Sequence, residues 1–395
     1  MEVFMYDFDF EVPVKILFGK NGVKNLAEEI LKYGKRVLLC YGSGSIKKIG
    51  LYDEITEQLK SKNIFFKELS GISPNPRINE VEEGVKTVRE NNLDFILPVG
   101  GGSTIDCAKA VSACVNYRGD AWDIITGKAV IQKALPIGTV LTIAATGSEM
   151  NCGAVISNLK TKEKLGFADK LLLPKFSVLN PEYTFSVPKI QTAAGTADIM
   201  SHTFECYFSL NDGAFLQDRF AESILKTCIK YGPIAIRDPE NYEARANLLW
   251  ANSWAINGLL DGGKNTAWSV HPMEHELSAF YDITHGIGLA ILTPHWLSHC
   301  LNSSTVEKIA DYGKNVWNLP QDEDVYKTAQ DAIQKTHNFF VSLGIPMTLK
   351  DVNIGEEHLE EMAEAAIRHR GKNGKIYGFQ ELTEKDVLAI YKAAM

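Results

Sequence analysis

Asp198, His202, His271 and His285 form a set of potential metal ligands, written D-x-x-x-H and, far downstream, H-x13-H. One carboxylate and three imidazoles suit Zn²⁺ or Fe²⁺ and leave a coordination position for a substrate oxygen. Asp198 and His202 stand four apart, so on a helix their Cβ atoms lie about 5–6 Å apart on one face and both side chains reach one ion. His271 and His285 are more demanding, because unbroken helix would separate them by roughly 21 Å at 1.5 Å per residue. If both serve one ion the chain must bend between them, and Tyr281-Asp282-Ile283-Thr284 is the expected bend. His275, one turn after His271, is a fifth candidate. Spacing alone does not choose four of the five.

The elements that must position these residues fall into two textures. The first half alternates short apolar runs with helical patterns, as an open, mainly parallel sheet with helices on both faces requires. Residues 37–41 read as a strand running into Gly42-Ser43-Gly44-Ser45 and a helical stretch through Leu59. Residues 94–99 read as a second strand, in which Pro98 lacks an N–H and suits only an end or an unpaired position. Gly100-Gly101-Gly102-Ser103 follows, then a helix over 104–114. A third strand over 136–143 ends in a polar loop from Thr142 to Ser148. After Pro188 strand patterns nearly vanish, and 189–209, 214–231 and 242–260 read as long amphipathic helices. The expected division is therefore 1–185, α/β, and 186–395, all-helical.

The glycine loops occupy strand-to-helix junctions, where backbone N–H groups favour a phosphate and no Cβ blocks its approach. Neither fits G-x-G-x-x-G, and each alone reads equally well as a tight turn. Two such loops after successive strands, with the polar loop at 142–148, point to a nucleotide at the carboxyl ends of the strands.

Composition sets the bounds. A chain of 395 residues exceeds what one growing core serves, which favours two domains. Hydrophobic residues at 45% and charged residues at 23% describe an ordinary globular protein. A net charge of -8 argues against nucleic acid or an anionic membrane as partner, since either needs a concentrated basic face. The basic run from Arg368 to Lys372 is expected to be a solvated loop. The acidic, aromatic start lacks the features of a signal peptide and no apolar stretch is long enough to span a bilayer, so a cytoplasmic location is expected. Seven scattered cysteines without a C-x-x-C pair read as reduced, buried thiols.

Taken together, the motifs resemble those of the iron-containing, or group III, metal-dependent alcohol dehydrogenases, particularly the branch of butanol dehydrogenases and NADPH-dependent aldehyde reductases. The resemblance runs through Y-G-S-G-S-I-K-K at 41–48, P-N-P at 74–76, G-G-G-S-T-I-D-C-A-K at 100–109 and A-T-G-S-E at 145–149. It continues through D-x-x-x-H at 198–202, E-N-Y-E-A-R-A-N at 240–247 and the run from His271 to Gly286. It implies a Rossmann-like nucleotide-binding domain, a helical metal-binding domain of the dehydroquinate synthase-like fold, and one catalytic divalent metal, Fe²⁺ or Zn²⁺. The ligands would be Asp198, His202, His271 and His285, with His275 a non-ligand histidine beside the nicotinamide and a candidate proton relay. Asn75, Asp106, Thr142, Thr146, Ser148, Lys164 and Tyr183 match cofactor-binding positions, together with Gly42 to Ser45 and Gly100 to Ser103. Lys164, in a charged run, reads equally as a solvated lysine. A homodimer is also implied.

Relatives that use NAD tend to place an acidic residue at the position of Ser43, where it bonds the ribose and repels a 2′-phosphate. The neutral Ser43, with Lys47 and Lys48 nearby, leads us to expect NADP(H) in preference to NAD(H). The expected reaction is hydride transfer between a nicotinamide and a short or medium aliphatic aldehyde, because Trp268, Met273, Phe280 and Tyr281 surround the histidines with apolar groups. A dehydroquinate synthase-like enzyme would need converging Arg and Lys residues that this stretch lacks. A metal-binding protein without catalysis is the remaining alternative.

Overall fold

The computed structural model describes residues 5–209, 213–266, 268–320 and 322–395. Its main sheet has six parallel strands: β1 (Lys15–Phe18), β2 (Arg36–Cys40), β3 (Phe65–Leu69), β4 (Phe95–Gly100), β5 (Gly138–Leu141) and β8 (Phe176–Leu179). They lie in the order β1-β8-β5-β4-β2-β3. A separate antiparallel pair, β6 (Gly153–Asn158) and β7 (Glu163–Ala168), precedes β8. Interleaved with the strands are α1 (Leu26–Ile30), α2 (Ser45–Lys48), α3 (Leu51–Ser61), α4 (Ile78–Asn91), α5 (Gly102–Cys114) and α6 (Ala121–Ile125). Val37, Leu39, Phe95, Leu97, Val140, Phe176 and Val178 pack on one face of the sheet, and Leu38, Cys40 and Ile96 on the other. Burial on both faces explains why these strands read as continuous apolar runs.

The strand order reverses between β2 and β4: β3 is added outside β2, whereas β4 joins its other side. The loops leaving β2 and β4, Gly42 to Ser45 and Gly100 to Ser103, flank that reversal at the carboxyl ends of the strands. That is the place where open α/β sheets take their ligands.

Pro98 takes the second of the two positions open to it, an unpaired one. It lies inside β4, opposite Cys40 of β2. The proline is tolerated because the β4–β5 ladder is broken there: Ile96 bridges Ile137, and regular pairing resumes at Val99 with Val140. A missing N–H thus falls where no ladder bond is made.

The later helices are α7 (Lys189–Tyr207), α8 (Phe215–Arg237), α9 (Tyr242–Ala255), α10 (Val270–Tyr281), α11 (His285–Cys300), α12 (Val306–Trp317), α13 (Val325–Ser342), α14 (Leu359–Arg370) and α15 (Glu384–Ala393). A two-residue hairpin, Lys375–Ile376 with Leu382–Thr383, is their only β-structure among the described residues. No helix among those residues is long and apolar enough to cross a membrane.

Contacts divide the chain at Val187/Pro188, with two exceptions to the linear division at 185/186. Pro239–Ser253, read as part of the helical half, groups with the α/β unit. Leu249 packs with Ile105, Leu141 and Leu179, and Asn252 and Ser253 hydrogen-bond Glu149. The N-terminal stretch ending at Phe10 groups instead with the helical unit, where the Tyr6 N–H donates to Gly263 O. Polar and apolar contacts far apart in sequence decide both cases. The run 368–372 is likewise not wholly solvated: His369 turns inward, its Nδ1 2.9 Å from the buried Glu276.

Candidate metal centre and cofactor loops

The metal candidates are carried by three helices of one unit. Asp198 and His202 lie one turn apart on α7, His271 is in the first turn of α10, and His285 opens α11. The bend required by H-x13-H is present. α10 stops at Tyr281, Asp282 takes the left-handed conformation at φ 52°, and Thr284 precedes the new helix. Gly286 lets α11 come against α7, for a Cβ there would lie 2.0 Å from the carbonyl oxygen of Ala194. No side chain fits that backbone contact.

Donor atoms of Asp198, His202 and His271 lie within 4.8 Å of one another. Nε2 of His202 is 3.5 Å and Nε2 of His285 3.9 Å from Asp198 Oδ1, while the rings of His202 and His271 stack at 4.8 Å. His275 does not join this group; its donor atom clusters with His285 and Glu274 instead, its ring 5.6 Å from that of His285. Asp198 is thus the point on which the two distant motifs converge. All but His285 are buried.

Two carboxylates that the sequence reading passed over orient the imidazoles. Glu205, on α7, lies with Oε1 3.0 Å from Nδ1 of His271 and accepts the backbone N–H groups of Ser269, Val270 and His271 at 2.8–2.9 Å. Glu274, on α10, takes Nδ1 of His285 in a close hydrogen bond and also accepts from Ser278 Oγ. With Nδ1 committed in this way, Nε2 of each ring is left for an ion, the arrangement in which an acidic partner fixes a histidine's tautomer and direction. A second possible cluster, Glu274 with His275 and His285, is accounted for by the same hydrogen bond. Both carboxylates stand three residues after a ligand, His202 and His271, which is the spacing that could have found them.

The charges fit a divalent cation. Burial, with His271 and His285 close by, holds His202 well below the usual histidine range, so its imidazole is neutral and able to ligate. Burial raises Glu205 to about 7 even against the three backbone N–H groups, which pull the other way. The anion is the form whose lone pairs those donors satisfy. The Trp268 ring, 4.6 Å from that of His271 and 5.7 Å from that of His202, shields both from water.

The cofactor candidates sit in the α/β unit. A Cβ on Gly102 would lie 2.2 Å from Thr146 Oγ1, so the loop after β5 touches the glycine loop at the start of α5, and the Thr142 N–H donates to Gly100 O. Ser148 is buried, its Oγ donating to Asp106 and accepting from Lys109, while the second oxygen of Asp106 accepts the Val155 N–H. Ser148 therefore shapes the loop from within instead of lining its surface. Lys109, another residue the sequence reading missed, meets five acceptors within 3.0 Å on Ser148, Asn151 and Gly153. Burial draws it down to about 8, but only an ammonium has three protons to offer that shell. Lys164 is buried on β7 opposite Ser157, against the solvated alternative. Tyr183 donates to Glu54 at 3.1 Å, and Asn75 turns the chain at φ 53°.

At the other loop, Ser43 and Ser45 are exposed. α2 is one turn long, too short to act as an anion-binding helix start. Lys47 lies over the rings of Tyr41 and Tyr52, 5.0 and 4.7 Å from their centroids, and both hydroxyls donate to Glu68. Although burial pushes Glu68 up, those two hydroxyls bring it below the usual range. A carboxylate therefore shares the vicinity expected to be cationic.

Glu205→Gln, which keeps the volume but removes the charge facing His271, should weaken metal binding about 10–100-fold. Competition with a chromophoric chelator measures this. Unchanged affinity would remove Glu205 from the metal centre.

Comparison with known proteins identifies the family. Residues 13–181 match the model of the iron-containing alcohol dehydrogenases and residues 192–395 that family's C-terminal region. The chain is 56% identical over 388 residues to NADH-dependent butanol dehydrogenase A of Clostridium acetobutylicum, covering 98% of this chain and 99% of that protein. It is 40% identical over 379 residues to the NADPH-dependent aldehyde reductase of Escherichia coli, covering 94% and 97%. The crystal structure of NADH-dependent butanol dehydrogenase A from Thermotoga maritima superposes with a TM-score of 0.94 at 38% identity, covering 99% of each chain. The chain belongs to the iron-containing alcohol dehydrogenase family and is an oxidoreductase of that class.

Proposed function

We propose that this enzyme reduces short and medium aliphatic aldehydes, butanal among them, with a nicotinamide cofactor, and that Asp198, His202, His271 and His285 hold its one divalent metal, iron or zinc. The observation that carries the reading is the convergence of these four residues from α7, α10 and α11, two of the imidazoles aimed by Glu205 and Glu274. The activities for which the relatives are named, butanol dehydrogenase and aldehyde reductase, support the substrate class.

When bound, the ion supplies Lewis acidity to the carbonyl oxygen and stabilises the alkoxide charge that develops there. The chain does the rest. The two glycine loops and the loop at 142–148 would hold the cofactor, which would supply the hydride. Trp268 excludes water from the histidines. His275, buried beside His285, passes the proton that completes the alcohol. His271→Ala should lose metal and turnover yet keep cofactor affinity, because the loops lie in the other unit. His275→Ala should keep metal and lose rate by about 10²–10⁴-fold. Elemental analysis with butanal kinetics checks both; full metal occupancy in the His271 variant would sink the ligand assignment.

For the cofactor's second phosphate the balance is closer than the sequence suggested. Ser43 does not repel a 2′-phosphate, but Lys47 is held on two tyrosine rings and Glu68 is anionic. Four relatives at 46–56% identity are named NADH-dependent, and one at 40% NADPH-dependent. We therefore take both cofactors to be accepted. Ser43→Asp should lower kcat/KM for NADPH by about 10- to 100-fold and leave NADH nearly unchanged; an equal loss for both would show that this loop does not face the 2′-position.

The working unit is a homodimer. β1 is an edge strand of the sheet, and Phe18 on it is exposed. Such an edge invites pairing with a second copy. Sedimentation velocity should give twice the chain mass, and a monomer at assay concentration would overturn it.

A further inference from the structure

The loop after β5 is gripped from a helix far along the chain. Asn252 on α9 accepts, through Oδ1, the backbone N–H groups of Ala145 and Gly147 at 2.9 and 2.8 Å. Its Nδ2 donates to Glu149 Oε1 at 2.9 Å, and Ser253 Oγ donates to the same oxygen at 2.5 Å. All three side chains are buried, Glu149 and Ser253 completely. From the opposite side Lys109 holds the carbonyls of Ser148, Asn151 and Gly153. Thr146, flanked by the two residues that Asn252 holds, is the one whose side chain occupies the space above Gly102.

Fixing both N–H groups that bracket Thr146 leaves its peptide little freedom to rotate. The position of Thr146 over Gly102 follows, and with it the gap between the loop after β4 and the loop after β5. We propose that Asn252 is a positioning residue for the nicotinamide cofactor: by clamping Ala145 and Gly147 it sets the width of the slot between these loops. The proposal rests on the reading that the two loops bind the cofactor. Asn252 touches neither substrate nor metal ligands, so its effect falls on cofactor binding before chemistry.

An amide is what the position demands. Its oxygen meets two donors and its nitrogen meets a carboxylate. Aspartate would satisfy the donors but face Glu149 with a second carboxylate, a repulsive pair in a buried site. Reversing the polarity of the pair, Asn252→Asp with Glu149→Gln, restores a donor opposite an acceptor. Ser253 Oγ, which already lies 3.3 Å from Leu249 O, then has another acceptor.

The test titrates NADH, followed by its fluorescence, into metal-loaded wild type, Asn252→Ala, Asn252→Asp and the Asn252→Asp/Glu149→Gln double variant. Steady-state kinetics with butanal accompany the titration. Loss of the two hydrogen bonds to the loop in Asn252→Ala, and the carboxylate set against Glu149 in Asn252→Asp, should each raise Kd and KM for NADH about tenfold. KM for butanal and bound metal should stay as in wild type, and the double variant should recover most of the loss. If Asn252→Ala does not fold, the aspartate pair carries the test alone. Saturable wild-type binding with a Kd unchanged in the single variants overturns the inference and leaves the cofactor reading intact, as does a double variant no better than Asn252→Asp. Absence of saturable NADH or NADPH binding by wild type overturns the cofactor reading itself.

Discussion

Glu205 is the side chain on which the proposed metal centre turns. Rooted on α7, it accepts the first N–H groups of α10 and faces Nδ1 of His271. The opening N–H groups of a helix have no partner within it and carry the positive end of its dipole. A buried carboxylate drawn from another helix satisfies three of them at once. The same contact therefore decides where α10 begins, how it meets α7 and which nitrogen of His271 points toward Asp198. Remove it, and the start of the helix and the direction of the imidazole are lost together.

The second half of the centre depends on backbone proximity. Asp282 ends α10 in a left-handed turn, and Gly286 allows α11 to meet the backbone of α7 at Ala194. Glu274 then reaches His285 from α10. Each histidine that arrives from outside α7 is thus oriented by an acid on a neighbouring helix. This division of labour lets helices of ordinary geometry bring the candidate ligands close to one aspartate.

How much of this was legible depended on whether a residue's partner was near in sequence. D-x-x-x-H declares itself because four residues make one helical turn, and H-x13-H implied a bend because a straight helix is too long. The long helices α7, α8 and α9 were readable within a few residues from their apolar period. β3, with exposed and half-buried residues at Phe65–Glu68, has no alternation to read and was missed, as were β1 and the β6–β7 pair. Lys109 and Asn252 gave no signal either, since they bind backbone atoms 39 and 107 positions away. Nor could any period show that Pro239–Ser253 returns to the α/β unit. Pro98 was readable as an unpaired position, because the rule concerns the lost bond, and the neighbouring ladder has a gap there.

The placement of Asp198, His202, His271 and His285 on three different helices bears on durability as well as chemistry. An ion held by all four would act as a cross-link, closing a long loop of chain between α7 and α11. Unfolding would have to surrender the ion, so the folded state gains by RT ln(1 + [M]/Kd) in free metal. Enzyme without such an ion would lack that cross-link and unfold more readily.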